Sequence, residues 1–304
     1  MDRGQARARF LAAGVLLLCA AGDRPQPPLR EARWLKSPDP VAALTTEPPE
    51  CLAWPASKRE RQALAVGRTL FRSPLLLGGQ AARAGLSCAS CHRNGRGNPH
   101  FHFPGISGDP GTADVTASIM SEHRGDGVFN PKPIPDLGGD PAKLKVKGTP
   151  KLRGFVHGLI TEEFDGPEPS PAALDSVVSY VEALSPAACP RRGDQRIVLG
   201  ARLDEVQSSV ALAEAAYAGR DPATGRALLA AARSMLGAID ERFRAGGLMD
   251  ARARLRAADA ALFALQQGKG SWAAWRRDWP RHERALRSVE RRSLYNPTVL
   301  RKAL

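Results

Sequence analysis

The run Cys88-Ala89-Ser90-Cys91-His92 lies inside residues 73–151, a stretch dominated by Gly, Pro, Asp and Asn. Loops of that length are uncommon in a compact domain unless something other than backbone pairing organises them. Two cysteines separated by two residues and followed at once by His form the attachment signature of c-type haem. Thiols at that spacing reach both vinyl groups of one haem as thioethers, and the adjacent imidazole falls under the iron as proximal ligand. The expectation is one haem c, bound covalently by Cys88 and Cys91 and ligated by His92.

Three other readings compete for the same residues. A zinc site wants a second Cys or His pair at metal spacing, and the sequence has none. A thioredoxin-like redox pair wants a strand-to-helix junction, whereas residues 78–87 read as a loop. A disulfide between Cys88 and Cys91 would close a short, strained ring. Cys51 and Cys189 flank the whole region. In an oxidising compartment an even pair suggests a disulfide tying its two ends, the alternative being two unpaired thiols.

The amino terminus reads as an export signal over residues 1–22. Arg3, Arg7 and Arg9 precede an apolar stretch at 10–20, and Ala20, Ala21 and Gly22 supply a cleavage site. Eleven apolar residues are too few to span a bilayer. An uncleaved anchor is the alternative, and Leu18 disfavours lipidation at Cys19. A periplasmic location agrees with haem attachment, which in bacteria takes place outside the cytoplasm.

The net charge of +13 is uneven: residues 23–190 carry 19 basic and 18 acidic side chains, residues 191–304 carry 22 and 12. An exported protein rarely meets nucleic acid. The excess therefore points to an acidic redox partner protein, or to peripheral contact with an anionic lipid surface. A solvated helical face rich in Arg is the plainer reading.

At 304 residues two domains are expected. Residues 23–50 are Pro-rich and read as an extended lead-in. Ser57 with Glu60 forms a capping box for a helix over 57–71, with Leu64, Leu70 and Phe71 turned inward. Ser170-Pro171 opens a second helix, carrying Leu174, Val177, Val178, Val181 and Leu184 and stopping before Pro186. Beyond Arg191 apolar residues recur on a seven-residue pattern: Leu199, Leu203, Val206, Val210, Ala213, Tyr217, then Leu228 to Phe243 and Leu255 to Leu265. Trp272, Trp275 and Trp279 line one face of a further segment, bent at Pro280. The fold class expected is mainly α: a cytochrome c-like haem domain over 51–190 and a basic antiparallel helical bundle over 195–295.

Gly67-Arg68-Thr69-Leu70-Phe71-Arg72-Ser73-Pro74-Leu75, then Gly85-Leu86-Ser87, then Gly148-Thr149-Pro150-Lys151-Leu152-Arg153-Gly154 and Phe164-Asp165-Gly166 carry a resemblance. Together with Leu174-Asp175-Ser176-Val177-Val178, they make residues 57–185 similar to a haem domain of the bacterial cytochrome c peroxidase and MauG family. The tail from Arg191 resembles nothing in that family. Family members carry two haems and share oxidising equivalents between them, and this chain has a single Cys-x-x-Cys-His. Phe164 stands where the family often has His, and Val181 where its distal Met falls. The resemblance implies a distal Tyr near position 180 in MauG-type members.

The sixth coordination position decides the chemistry. Candidates are Met120, in Ser118-Ile119-Met120-Ser121, and Tyr180, followed by His100, His102, His123 and His157; His282 in the basic tail reads as surface. A strong ligand such as Met suits single-electron transfer. An open position would admit hydrogen peroxide, with Glu162, Glu163 or Arg153 available to move a proton. The function expected is electron transfer by an exported one-haem cytochrome. The alternatives are a peroxidase or MauG-like oxidase, and a haem-based sensor or partner-binding subunit.

Overall fold

Caps decide where the helices begin. In a computed structural model that describes residues 27–116, 119–191 and 193–304, Asp39 accepts the amide of Ala42 at 2.9 Å and Pro40 opens α1 (Pro40–Thr45). Ser57 accepts the amide of Glu60 at 3.1 Å and opens α2 (Lys58–Phe71). Three short helices follow: α3 (Pro74–Leu77), α4 (Gly79–Ala84) and α5 (Cys88–Cys91). No further α-helix forms until α6 (Lys151–Gly158), which continues into a π turn over Leu159–Glu163. Ser170 caps α7 (Pro171–Glu182). The carboxyl half holds α8 (Leu199–Ala218), α9 (Pro222–Arg242), α10 (Met249–Gln266), α11 (Trp272–Val289) and α12 (Pro297–Ala303). Among the described residues helix makes up 58% and strand 4%, so the class is mainly α.

The strands are short ties between distant segments. β1 (Thr46–Glu47) pairs antiparallel with β4 (Gln195–Arg196), while β2 (Thr112–Ala113) pairs with β3 (Lys132–Pro133). Among the described residues no helix is long and apolar enough to cross a membrane. The signal segment at 1–22, and Ser118 of the Met120 motif, lie outside the described residues.

α8 to α11 form the antiparallel bundle. Short turns leave consecutive helices no other course, and α11 closes the ring onto α8 through Arg287–Asp204 (3.5 Å) and the Arg276–Glu214 pair. Leu203, Leu228, Leu255, Leu262 and Trp279 sit at its centre with at most 2% exposure. The helix of α11 runs through Pro280 to Val289.

One expectation is corrected. The lead-in is not an extended arm: residues 30–34 form a 3₁₀ turn, α1 follows, and Leu29, Val41 and Leu44 are buried against Leu294 and Leu300. Local caps and apolar residues outweigh the proline count. α12 adds Leu300 to that same cluster and so packs on the lead-in. The buried Arg242 joins both ends of the chain, donating to the carbonyls of Leu44 (2.7 Å) and Leu294 (3.3 Å).

The apolar core is continuous across the expected boundary, running from Leu64, Leu70 and Val177 into Leu203, Leu228 and Leu262. α2 lies so close to α7 that a Cβ on Gly67 would stand 1.8 Å from the carbonyl oxygen of Ser176. Only glycine permits that approach.

The junction with the bundle is a part-buried ion cluster. Arg72 reaches Glu205 of α8 at 2.6 Å and Glu50 at 3.1 Å, Arg68 reaches Glu50 at 2.8 Å, and Arg202 pairs with Glu205 (2.9 Å) and Glu47. Burial raises the Glu205 carboxyl, but Arg72, Arg202 and Arg68 outweigh it and hold it at about 2. A carboxylate depressed in the folded state stabilises above its unfolded value and loses that contribution as pH falls toward the folded one. We therefore expect acid to remove about 3 kcal/mol through Glu205 between roughly pH 4.5 and 2. Urea midpoints followed against pH check this: Glu205→Gln should start lower at neutral pH and lack the wild-type fall in that window.

Candidate functional site

The Cys88–His92 segment is one helical turn and its exit. Ser87 donates its amide to the Ser90 hydroxyl at 3.0 Å, closing the start of α5. The amide of His92 bonds back to the Cys88 carbonyl at 2.8 Å, and the chain then leaves the helix. Asn94 takes a left-handed conformation (φ 52°), which Asn tolerates better than most residues. Its side chain is held from two sides: the oxygen accepts from Arg72 at 2.7 Å, and the nitrogen donates to the Pro48 carbonyl at 2.8 Å. Asn98 donates to the Ser90 carbonyl at 2.8 Å. The motif is thus clamped to the end of α2 and to the lead-in.

His92 Nδ1 lies 3.0 Å from the Pro135 carbonyl oxygen. A carbonyl only accepts, so Nδ1 carries the proton and Nε2 keeps its lone pair. No hydrogen bond reaches Nε2 among the described residues. Desolvation lowers the imidazole to about 4 despite the Pro135 carbonyl and Asp136, which raise it. The ring is neutral at physiological pH, the state a metal ligand needs.

Cys88 and Cys91 are free thiols. Desolvation pushes both up to about 12. Such thiols stay protonated at neutral pH, which is the reverse of the low-pKa nucleophile of a redox-active pair. Among the described residues no three His, Cys, Asp or Glu side chains cluster as a metal cage. A neutral imidazole with a bare Nε2 beside two thiols fits a haem, which Cys88 and Cys91 would hold and to whose iron His92 would supply a nitrogen.

Met120 shares an apolar cluster with both cysteines. It is 1% exposed among Trp34, Leu77, Ala81, Leu86, Phe101 and Ile106, and Cys88 and Cys91 pack against the same group. Ser121 fixes it by donating to the Glu162 carbonyl at 2.5 Å, and the amide of Glu122 donates to the Asp165 carboxylate at 3.0 Å. Gly166 completes this support: a Cβ there would fall 2.6–2.7 Å from the carbonyl oxygens of Leu77, Ile160 and Leu76.

Tyr180 is placed elsewhere. It is fully buried in the main core, 5.0 Å from the Phe71 ring, and its hydroxyl donates to Glu50 at 2.7 Å. Burial and Glu50 raise its phenol above the ordinary value. Its oxygen is committed to a carboxylate and its proton is held tightly, an arrangement that serves packing rather than iron ligation.

The other candidates scatter. His157 Nε2 faces Glu168 at 2.9 Å, and His123 is exposed near Asp165 at 3.9 Å. His100 and His102 tie their loop to the lead-in through backbone bonds, the His100 carbonyl accepting from Lys36 (2.8 Å) and the His102 amide donating to Trp34 (2.9 Å). His282 is half-buried, and its Nδ1 is buried without a partner. Arg153 pairs with Asp175 at 2.6 Å. Glu162 is exposed, but Glu163 is buried, bound to Arg124 at 2.9 Å, and desolvation raises its pKa. Cys51 and Cys189 are joined as a disulfide across 138 residues.

Pro135, Arg96 and Asp136 were missed as site residues. The Pro-rich run at 130–135 reads only as turns, because a carbonyl acceptor leaves no side-chain signal. No family model matches the chain, and neither a curated protein nor a solved structure does.

Removing the Tyr180 hydroxyl takes one hydrogen bond from a buried carboxylate, a loss of about 1.5–3 kcal/mol. Tyr180→Phe should therefore lower the urea midpoint while leaving the visible absorption spectrum of the protein unchanged. A shifted spectrum would put Tyr180 back at the site.

Proposed function

We propose that the chain is an exported c-type cytochrome that carries single electrons, with one haem joined to Cys88 and Cys91 and ligated by His92. The observation that carries this reading is the bond between His92 Nδ1 and the Pro135 carbonyl, which orients the ring and leaves Nε2 as the free ligand nitrogen, next to a Cys-x-x-Cys pair. When bound, the haem supplies an iron that takes up or gives one electron. Pro135 orients the imidazole, since an acceptor on the second ring nitrogen sets tautomer and basicity. Met120 is the side chain we assign to the sixth position, because it shares the cysteines' apolar cluster. That cluster keeps water from the thioether side. The resemblance to the cytochrome c peroxidase and MauG family supports the haem domain; the single motif supports electron carriage over peroxide chemistry.

The premise is checked by haem staining on a denaturing gel. Cys88→Ala with Cys91→Ala should abolish the stain, and retained stain removes the reading. The absorption spectrum then separates the alternatives. A low-spin ferric spectrum that peroxide leaves unchanged, and that Met120→Leu converts to high-spin, supports electron carriage. A high-spin wild type that consumes peroxide with an external donor makes the protein a peroxidase or MauG-like oxidase instead. Partner binding that needs the bundle, without electron exchange, would favour the sensor reading.

We place the docking edge for an acidic redox partner on Lys143, Lys145, Lys147 and Lys151. All four are exposed, and none forms an ion pair among the described residues, whereas Leu144 and Val146 between them turn partly inward. The loop that bears them continues from Pro135 and Asp136. Changing Lys143, Lys145 and Lys147 to Glu should slow oxidation of the reduced protein by hexacyanoferrate(III), an anion, about tenfold at low salt. High salt should erase the difference, and the cation hexaammineruthenium(III) should show no slowing. Equal rates with the anion would move the exchange edge elsewhere.

A further inference from the structure

The carbonyl that orients His92 is itself held, and the holder is an arginine set between a carboxylate and a disulfide. Arg96 lies four residues after His92. Its Nε donates to Asp136 Oδ1 at 2.7 Å and Oδ2 at 2.8 Å, and its Nη2 lies 2.7 Å from Oδ2. Its remaining arm, Nη1, points at sulfur: 3.0 Å from Cys51 Sγ and 3.6 Å from Cys189 Sγ. Asp136 directly follows Pro135. Its carboxylate also accepts the amide of Gly138 at 3.0 Å, and the same amide reaches the Gly95 carbonyl at 3.0 Å. The turn that presents the Pro135 carbonyl is thereby bound at the base of the Cys88–His92 segment.

The disulfide is a fixed point for this assembly. Cys51 is fully buried, its carbonyl accepts the amide of Ser185 at 2.8 Å, and Leu52 forms an antiparallel bridge with Leu184. A Cβ added to Gly138 would stand 3.0 Å from Cys51 Cβ and 3.2 Å from Arg96 Cδ, so the loop, the arginine and the cystine are in contact. A guanidinium is rigid and planar, so anchoring one arm on the cystine fixes where the other arms hold the carboxylate.

We propose that Arg96 is a positioning residue for the haem ligand: anchored on the Cys51–Cys189 cystine, it holds Asp136 and so sets the Pro135 carbonyl on His92 Nδ1. The proposal rests on the haem reading above and adds the groups that tune the ligand. The physical consequence has a sign. A firm acceptor on Nδ1 makes the imidazole more basic, which favours the ferric over the ferrous iron. Loosening the acceptor weakens that preference and raises the midpoint potential.

The test uses the full mature protein, with midpoint potential, haem staining and thermal midpoint measured for each variant. Arg96→Ala should keep covalent haem and shift the ferric/ferrous equilibrium about tenfold toward ferrous, or about 59 mV upward for one electron. Arg96→Lys keeps a cation for Asp136 but loses the fork, so it should recover part of the shift. Cys51→Ser with Cys189→Ser should move the potential in the same direction. Leu228→Ala, a bundle cavity far from these groups in sequence, should lower the thermal midpoint and leave the potential where it is. An Arg96→Ala protein with full haem and wild-type potential overturns the proposal. So does a Leu228→Ala shift as large as that of Arg96→Ala, which would make the effect general destabilisation. Should Arg96→Ala fail to accumulate, Asp136→Asn is read the same way, with a smaller upward shift expected and none overturning the clamp. Wild-type protein without covalent haem would instead remove the functional reading itself.

Discussion

The hydrogen bond from His92 Nδ1 to the Pro135 carbonyl joins two parts of the chain that have no regular structure in common. On one side is a single helical turn, too short to be stable alone. On the other is a proline-rich loop that pairs through only a two-residue ladder, β2 with β3. Neither segment could order itself. The bond makes each the template for the other, and it also decides the chemistry of the ring. With Nδ1 donating to a carbonyl, the imidazole is oriented and bare at Nε2, and desolvation keeps it uncharged. The long irregular stretch around it is then a shell built to hold one side chain in one state.

What anchors that shell lies outside it. Arg72 bonds Asn94 just beyond the motif and Glu205 in the bundle, while Arg68 and Arg202 complete a cluster with Glu47 and Glu50. Burying so many charges is costly unless every one is partnered. Here each arginine meets a carboxylate, and Tyr180 adds a hydroxyl to Glu50. Such a cluster adds little net stability over an apolar contact. Its value is directional: a displaced helix would strand a buried charge, so the bundle and the motif keep one relative position. The bundle therefore serves as a backing plate for the site as well as a basic surface.

Much of this was legible in the residues. Ser57 with Glu60, Ser170 with Pro171 and the seven-residue pattern after Arg191 marked helices that the structure contains, because caps and apolar periodicity are local properties. The lead-in misread as extended shows the limit. Seven prolines between 23 and 50 outweighed Asp39 as a cap in a compositional reading, yet Leu29, Val41 and Leu44 needed burial, and their partners Leu294 and Leu300 stand some 250 residues away. At the site, Cys88, Cys91 and His92 declared themselves through spacing. Pro135, Arg96 and Glu50 did not. Their parts depend on a carbonyl direction, on a sulfur brought from a distant segment, and on a hydroxyl at Tyr180, none of which spacing encodes. Tyr180 was drawn into the site by analogy of register, and its hydroxyl bond to Glu50 assigns it to the core.

The balance of groups near the motif bears on which chemistry the protein can carry. Cleaving a peroxide bond needs a polar distal face with a group ready to accept and return a proton. The apolar cluster that packs on Cys88 and Cys91 is Trp34, Leu77, Ala81, Leu86, Phe101, Ile106 and Met120. Glu163, with Asp165, flanks Phe164, which borders that cluster. One of the Glu163 carboxylate oxygens is committed to Arg124, and the other is buried without a partner. An apolar wall with a thioether in it suits the electron carrier proposed above, which would have to cycle with little rearrangement.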